Sequence, residues 1–92
     1  MNVNKYLTEF LGTLLVVLSA LVSGGNFLVV GAAVAVAVFF ASKISGGHVN
    51  PAITLALYVN NKMTREDFTG YLICQLVAGV SSVFLYNTVL KM

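Results

Sequence analysis

Ser45-Gly46-Gly47-His48-Val49-Asn50-Pro51-Ala52 sets hydroxyl, imidazole and amide groups, paired glycines and the sole proline inside an otherwise apolar chain. Polar, non-helical backbone at membrane depth is costly unless it is buried in protein or lines a wet path. Asn50 is a strong helix N-cap, and Pro51 suits the first helical position, where its missing N–H is not needed. The Asn50 carboxamide oxygen can accept from first-turn N–H groups, which leaves the amide nitrogen to donate into the space ahead of the helix. The helix N-terminus adds partial positive charge there. That combination orients a small dipolar solute and opposes cations and protons. The carbonyls of Gly46, Gly47, His48 and Val49 offer a row of acceptors along the approach. The same Asn-Pro pair also caps ordinary helices, so these three residues alone decide little. Glu9, about one turn inside an apolar segment, is the other group to explain, because an ionisable side chain within a membrane is expensive and usually functional.

The elements that must position these groups follow from hydropathy. The 92 residues are 59% hydrophobic and 9% charged, against about 25% charged in a soluble domain. This composition excludes an ordinary soluble globule and points to the lipid bilayer. A net charge of +2 with no basic run gives no footing for nucleic acid. Cys74 lies alone in an apolar run, reads as a small buried side chain and can form no internal disulfide.

Three apolar segments, at about 6–22, 27–44 and 68–90, are each long enough to cross about 30 Å of hydrocarbon. Ser23-Gly24-Gly25-Asn26 makes a tight turn between the first two. Val22-Ser23-Gly24-Gly25 is weakly compatible with signal cleavage, but the charge at Glu9 and the run straight into a second apolar segment favour a retained helix. Ala33-Val34-Ala35-Val36-Ala37-Val38 alternates like a strand. A lone strand facing lipid would leave its backbone unpaired, so helix is expected. After the glycine tract, a short helix runs to Asn60-Asn61-Lys62. It reaches only half the bilayer, as a re-entrant element within about 45–60 would. Thr64 caps the last segment, with Glu66 and Asp67 in its first turn. Lys5, Lys43, Lys62 and Arg65 then share one side and Lys91 the other, which places the N-terminus in the cytoplasm and the C-terminus outside. The expected fold is an all-α membrane protein of three transmembrane helices plus one re-entrant half-helix.

Ile44-Ser45-Gly46-Gly47-His48-Val49-Asn50-Pro51-Ala52-Ile53-Thr54-Leu55-Ala56-Leu57 resembles the first-repeat signature of the aquaporin (major intrinsic protein) family. Glu9-Phe10-Leu11-Gly12-Thr13 is similar to that family's first-helix motif, and Gly70-Tyr71-Leu72-Ile73-Cys74-Gln75-Leu76 with Gly79 to its third-helix motif. Their order and spacing match over nearly the whole chain. The resemblance implies that residues 1–92 form a single half repeat of an aquaporin-like fold. It implies that Asn50, Pro51 and Ala52 form the pore-centre motif, that Glu9 and Gln75 are buried braces for re-entrant loops, and that Val30 stands at the constriction. His48 would help hold the loop. Gly12, Gly31, Gly70 and Gly79 would be helix-crossing points. Water or a small uncharged solute is the implied cargo, in a tetramer of separately conducting protomers, with no cofactor. Valine at position 30 suggests a wider constriction than an aromatic or histidine would give.

A complete family member has two inverted repeats, and only one Asn-Pro-Ala is present here. Three readings stay open. The chain is a half that needs a second half, or two copies pair antiparallel, or it joins other membrane proteins without conducting. The lysine and arginine bias argues for a fixed orientation and so against antiparallel pairing. An enzyme is not expected, because three carboxylates, one histidine and one cysteine form no recognisable acid–base pair. A proton-coupled transporter using Glu9 is the alternative from a different class.

Overall fold

A computed structural model describes residues 3–90, and Lys91 lies outside them. The described residues form four α-helices: α1 (Val3–Ser23), α2 (Phe27–Ala41), α3 (Pro51–Val59) and α4 (Arg65–Leu85), with a π-helical turn at Tyr86–Leu90 continuing α4. The helix α1 packs between α2 and α4, and α3 leans on α4 alone.

Local chemistry sets each boundary. At the end of α1, Gly25 N–H returns to Ala20 carbonyl, a closure that satisfies an orphan carbonyl. Asn26 then caps α2 by accepting from Leu28 and Val29 N–H. Asn50 caps α3 by accepting from Ala52 N–H at 2.8 Å, with Pro51 at the first position. The far end of α3 closes by Lys62 N–H on Leu57 carbonyl, with Asn61 in the left-handed region at φ 59°. Thr64 accepts from Asp67 N–H and starts α4, as the sequence predicts.

Buried and exposed residues are inverted relative to a soluble protein. The buried apolar side chains are mainly Ala33, Ala37, Ala41 and Ala78, while Glu9, Thr13, Thr54, Gln75 and Ser82 are buried polar ones. Phe27, Phe39 and Phe84 are more than two-thirds exposed. In lipid this is the stable arrangement: large apolar side chains meet hydrocarbon, small ones let helices approach, and polar groups pair inside. In the alternating run, Ala33 and Ala37 are buried and Ala35 is exposed, a period of four that belongs to a helix face.

Two details depart from expectation. The sequence predicts a second span over about 27–44, but regular helix stops at Ala41, and among the described residues only α1 and Arg65–Leu90 are long and apolar enough to cross a membrane on their own length. The Ile44 and Ser45 N–H groups both bond Ala41 carbonyl, so the chain tightens into turns that swing Ser45 onto Glu9. Cys74 is half-buried rather than buried.

Candidate functional site

Between α2 and α3 the chain folds inward and is gripped from α1. Glu9 is fully buried and takes four donors on its two carboxylate oxygens. Its Oε2 accepts from Ser45 Oγ at 2.7 Å and His48 N–H at 3.0 Å. Its Oε1 accepts from Val49 N–H at 2.8 Å and Gln75 Nε2 at 2.9 Å. Burying a carboxylate is affordable only with such complete pairing.

The second Gln75 amide hydrogen goes to Thr54 Oγ1 at 2.8 Å, and Thr54 Oγ1 is 2.9 Å from His48 Nδ1. Turning the Gln75 amide over would set its carbonyl against the Glu9 carboxylate, so the donor orientation is fixed. Thr54 Oγ1 thus receives from Gln75 and pairs with the His48 ring, tying α3 to the loop and to α4. The His48 ring packs edge-on to Tyr71 at 4.9 Å, and Tyr71 hydroxyl donates to Ser45 carbonyl at 2.7 Å. One network thus joins α1, the loop, α3 and α4. Among the buried polar side chains, only Thr13 Oγ1 and Gln75 Oε1 have no partner among the described residues.

The loop backbone needs this support. Gly46 and Gly47 have φ of 93° and 66°, the region that favours glycine. Val49, which is β-branched, is also left-handed, at φ 45°. Two groups on one face of α1 hold it there. Glu9 takes the Val49 N–H, and Gly12, three residues on, leaves room for its side chain.

The N–H groups of Gly47, His48 and Val49 all point inward, to Ser45 Oγ and Glu9. The carbonyls of Gly46, Gly47, His48 and Val49 receive no hydrogen bond from the described residues. Asn50 is exposed, with its oxygen committed to Ala52 and its amide nitrogen uncommitted. The loop is therefore polarised, with donors into the protein and acceptors away from it. Pro51 is half-buried and Ala52 exposed, in the first turn of α3.

Of the other residues singled out in the sequence, Val30 is half-buried in the first turn of α2, eleven residues before Ala41 and so about 16 Å along the axis from the loop. Gly12 and Gly70 are close crossings. A Cβ on Gly12 would lie 2.5 Å from Val49 Cγ1, and one on Gly70 would clash with the edge of the Tyr6 ring. Among the described residues Gly31 and Gly79 are not crossings, because nothing there comes within 4 Å of where their Cβ would be. Both lie on faces that no element of residues 3–90 covers.

Sequence reasoning missed Ser45, Thr54 and Tyr71. Thr54 is a lone polar residue in an apolar half-helix, and Tyr71 sits four residues before Gln75 on the same face of α4. Both signals were available.

A helical membrane frame that folds a capped half-helix back into itself defines a class of channel-like polytopic proteins. The model of the family described as Major intrinsic protein matches residues 1–92. The glycerol uptake facilitator protein-like 6 of Lactiplantibacillus plantarum is 36% identical over 84 residues, covering 83% of this chain and 39% of that protein. Aquaporin TIP2-1 of Arabidopsis thaliana is 34% identical over 106 residues, covering 96% and 42%. The lens fiber major intrinsic protein of Gallus gallus is 36% identical over 86 residues, covering 82% and 33%. No solved structure shows a significant match. The chain belongs to the major intrinsic protein family, and it spans about two-fifths of the length of the curated relatives it matches.

Proposed function

We propose that residues 1–92 form a single half repeat, one wall of a channel that passes water or a small neutral solute. The polarised loop carries this reading. An unpaired carbonyl away from water costs free energy, so the row from Gly46 to Val49 needs a donor, and a file of passing solute supplies one. Asn50 supplies the complementary donor at the tip of α3, where the helix dipole opposes cations. Pro51 and Ala52 set that tip, and Val30 lines the constriction.

Glu9 acts as a brace in this reading. Three of the four groups around it, the His48 and Val49 N–H and the Gln75 amide, can only donate, and the Ser45 hydroxyl donates as well. That arrangement favours a fixed carboxylate over a proton carrier. Gln75 is the second brace, from α4.

Lys5 Nζ bonds Asp67 Oδ2 at 2.8 Å, which brings the starts of α1 and α4 to one end. Lys62 and Arg65 lie just before or at the start of α4, and Lys43 follows α2. With these basic residues gathered there, we assign that end and the N-terminus to the cytoplasm and the C-terminus to the outside. The opposite wall comes from a second repeat, whether in the same polypeptide, a separate one or another copy, and the complete protomer belongs to a tetramer.

The test is osmotic water and glycerol permeability of liposomes holding the purified chain, read by stopped-flow light scattering beside empty liposomes. A rise with a low activation energy for this chain alone means that copies complete one another. A rise only with an added second repeat means that the half needs its complement. No rise in either case, with the protein inserted and helical, removes the channel reading and leaves a non-conducting interaction subunit.

A further inference from the structure

Outside the loop network, a groove of about 640 Å³ runs between α1 and the first half of α4. Its walls are apolar along Tyr6, Gly70, Ile73 and Cys74, and Arg65 and Glu66 stand at its mouth. The Tyr6 ring closes against Gly70 to form one wall, and it is pinned by its hydroxyl donating to Asp67 at 2.8 Å. Asp67 is fully engaged, by Tyr6 and by Lys5. Arg65 and Glu66 have no hydrogen bond or ion pair among the described residues and are both exposed. The mouth thus presents one uncommitted cation and one uncommitted carboxylate side by side. From Glu66 to Cys74 the groove follows about 12 Å of helix toward the middle of the span, a length that suits the upper part of an acyl chain.

We propose that this groove is a binding site for a phospholipid with an ethanolamine headgroup, its phosphate on Arg65, its ammonium on Glu66 and one acyl chain along Gly70 and Ile73. The paired charges select the headgroup. An anionic lipid satisfies Arg65 but sets its charge beside Glu66. A choline lipid satisfies Arg65 but carries a quaternary nitrogen with no hydrogen to give the carboxylate, whereas a primary ammonium forms a charge-assisted bond. The guanidinium suits a phosphate because it presents two parallel donors.

The experiment is native mass spectrometry of the purified chain, stripped of lipid in detergent and given an equimolar mixture of phosphatidylethanolamine, phosphatidylcholine and phosphatidylglycerol with matched acyl chains. A single ethanolamine-lipid adduct is expected above the other two by about threefold, the factor one exposed ion pair supplies. Glu66→Gln is expected to bring that adduct down to the choline level and to raise the glycerol one. Arg65→Gln is expected to lower all three, and a tryptophan in place of Thr69, which also lines the groove (Thr69→Trp), to block it against all of them. Circular dichroism checks that each variant stays helical. Equal adducts of the three lipids, an ethanolamine preference that survives Glu66→Gln, or no adduct at all would overturn the proposal. A dominant phosphatidylglycerol adduct lost only in Arg65→Gln would overturn it in favour of an anionic lipid.

Discussion

Gly12 and Val49 fit together as slot and key: the absent Cβ of Gly12 leaves the space that Val49 Cγ1 fills, with 2.5 Å between that atom and the position a Cβ would take. The contact joins the first helix to the last residue before the Asn50 cap, so the place of Asn50 depends on a glycine thirty-eight residues earlier. Glu9, on the same face, holds the Val49 N–H. Packing and hydrogen bonding therefore fix one strained residue from one helix turn.

Gly12→Ala is expected to destabilise the chain by about 1–3 kcal/mol through overpacking. Val49→Ala removes the opposing atom. The double variant should lose less than the sum of the two single losses, with a coupling of about 0.5–3 kcal/mol. Thermal melts in detergent followed by circular dichroism measure it, and additive losses would show that the two residues do not bear on each other.

Glu9→Gln is expected to lower stability by roughly 1.5–3 kcal/mol, because a glutamine has one acceptor oxygen and turns its NH2 toward donors that Glu9 now satisfies. In an assembly that conducts, passive osmotic flow at low temperature should persist, since the side chain still fills its place. Uptake driven by a pH gradient should be absent before and after the change. Gradient-driven uptake that disappears with the substitution would make Glu9 a proton carrier instead.

Asn50→Asp separates the cap from the solute contact. Aspartate caps a helix about as well as asparagine, so the melting temperature should barely move. In the proposed pathway the substitution replaces the amide donor at the tip of α3 with a carboxylate, which attracts cations. In a conducting assembly the reversal potential under a salt gradient should shift toward the cation value, and an unchanged potential would remove Asn50 from the pathway.

The four glycines on helices divide into two pairs by the same measure. Gly70→Ala should cost about 1–3 kcal/mol, because the new methyl displaces the Tyr6 ring and with it the bond to Asp67. Gly79→Ala should stabilise the chain alone by about 0.5–1 kcal/mol through lower backbone entropy, since nothing opposes the methyl. If Gly79→Ala instead weakens an assembly with a second repeat, that face is where the second repeat lies. Melting the chain alone and with its complement gives both numbers.

Much of this was legible in the sequence, because the signals are local. Asn50-Pro51 starts α3, Asn60-Asn61 ends it, and Thr64 starts α4. Residues that act across elements were read less well. Glu9 and Gln75 stood out as polar groups in apolar runs, and the family resemblance gave them a role. Ser45, Thr54 and Tyr71 complete the same network but are ordinary residue types whose bonds to or from α1 and α4 span 21 to 36 positions. Gly31 and Gly79 look like Gly12 and Gly70 in the sequence, and only the paths of the neighbouring helices tell the pairs apart. The end of α2 was placed three residues late because Ser42-Lys43-Ile44 carries no breaker; the pull of Ser45 onto Glu9 ends the helix there.

The Glu9 network also sets an order of events during synthesis. Glu9 leaves the ribosome early, and the loop that donates to it follows some forty residues later. Gln75 and Tyr71 come last, on α4. Until α4 has entered the bilayer, Thr54 lacks its donor from Gln75 and Ser45 carbonyl has no hydroxyl to meet. The half-helix is thus delivered to the membrane before the residues that hold it, and its final seating waits on the helix that follows it in the chain.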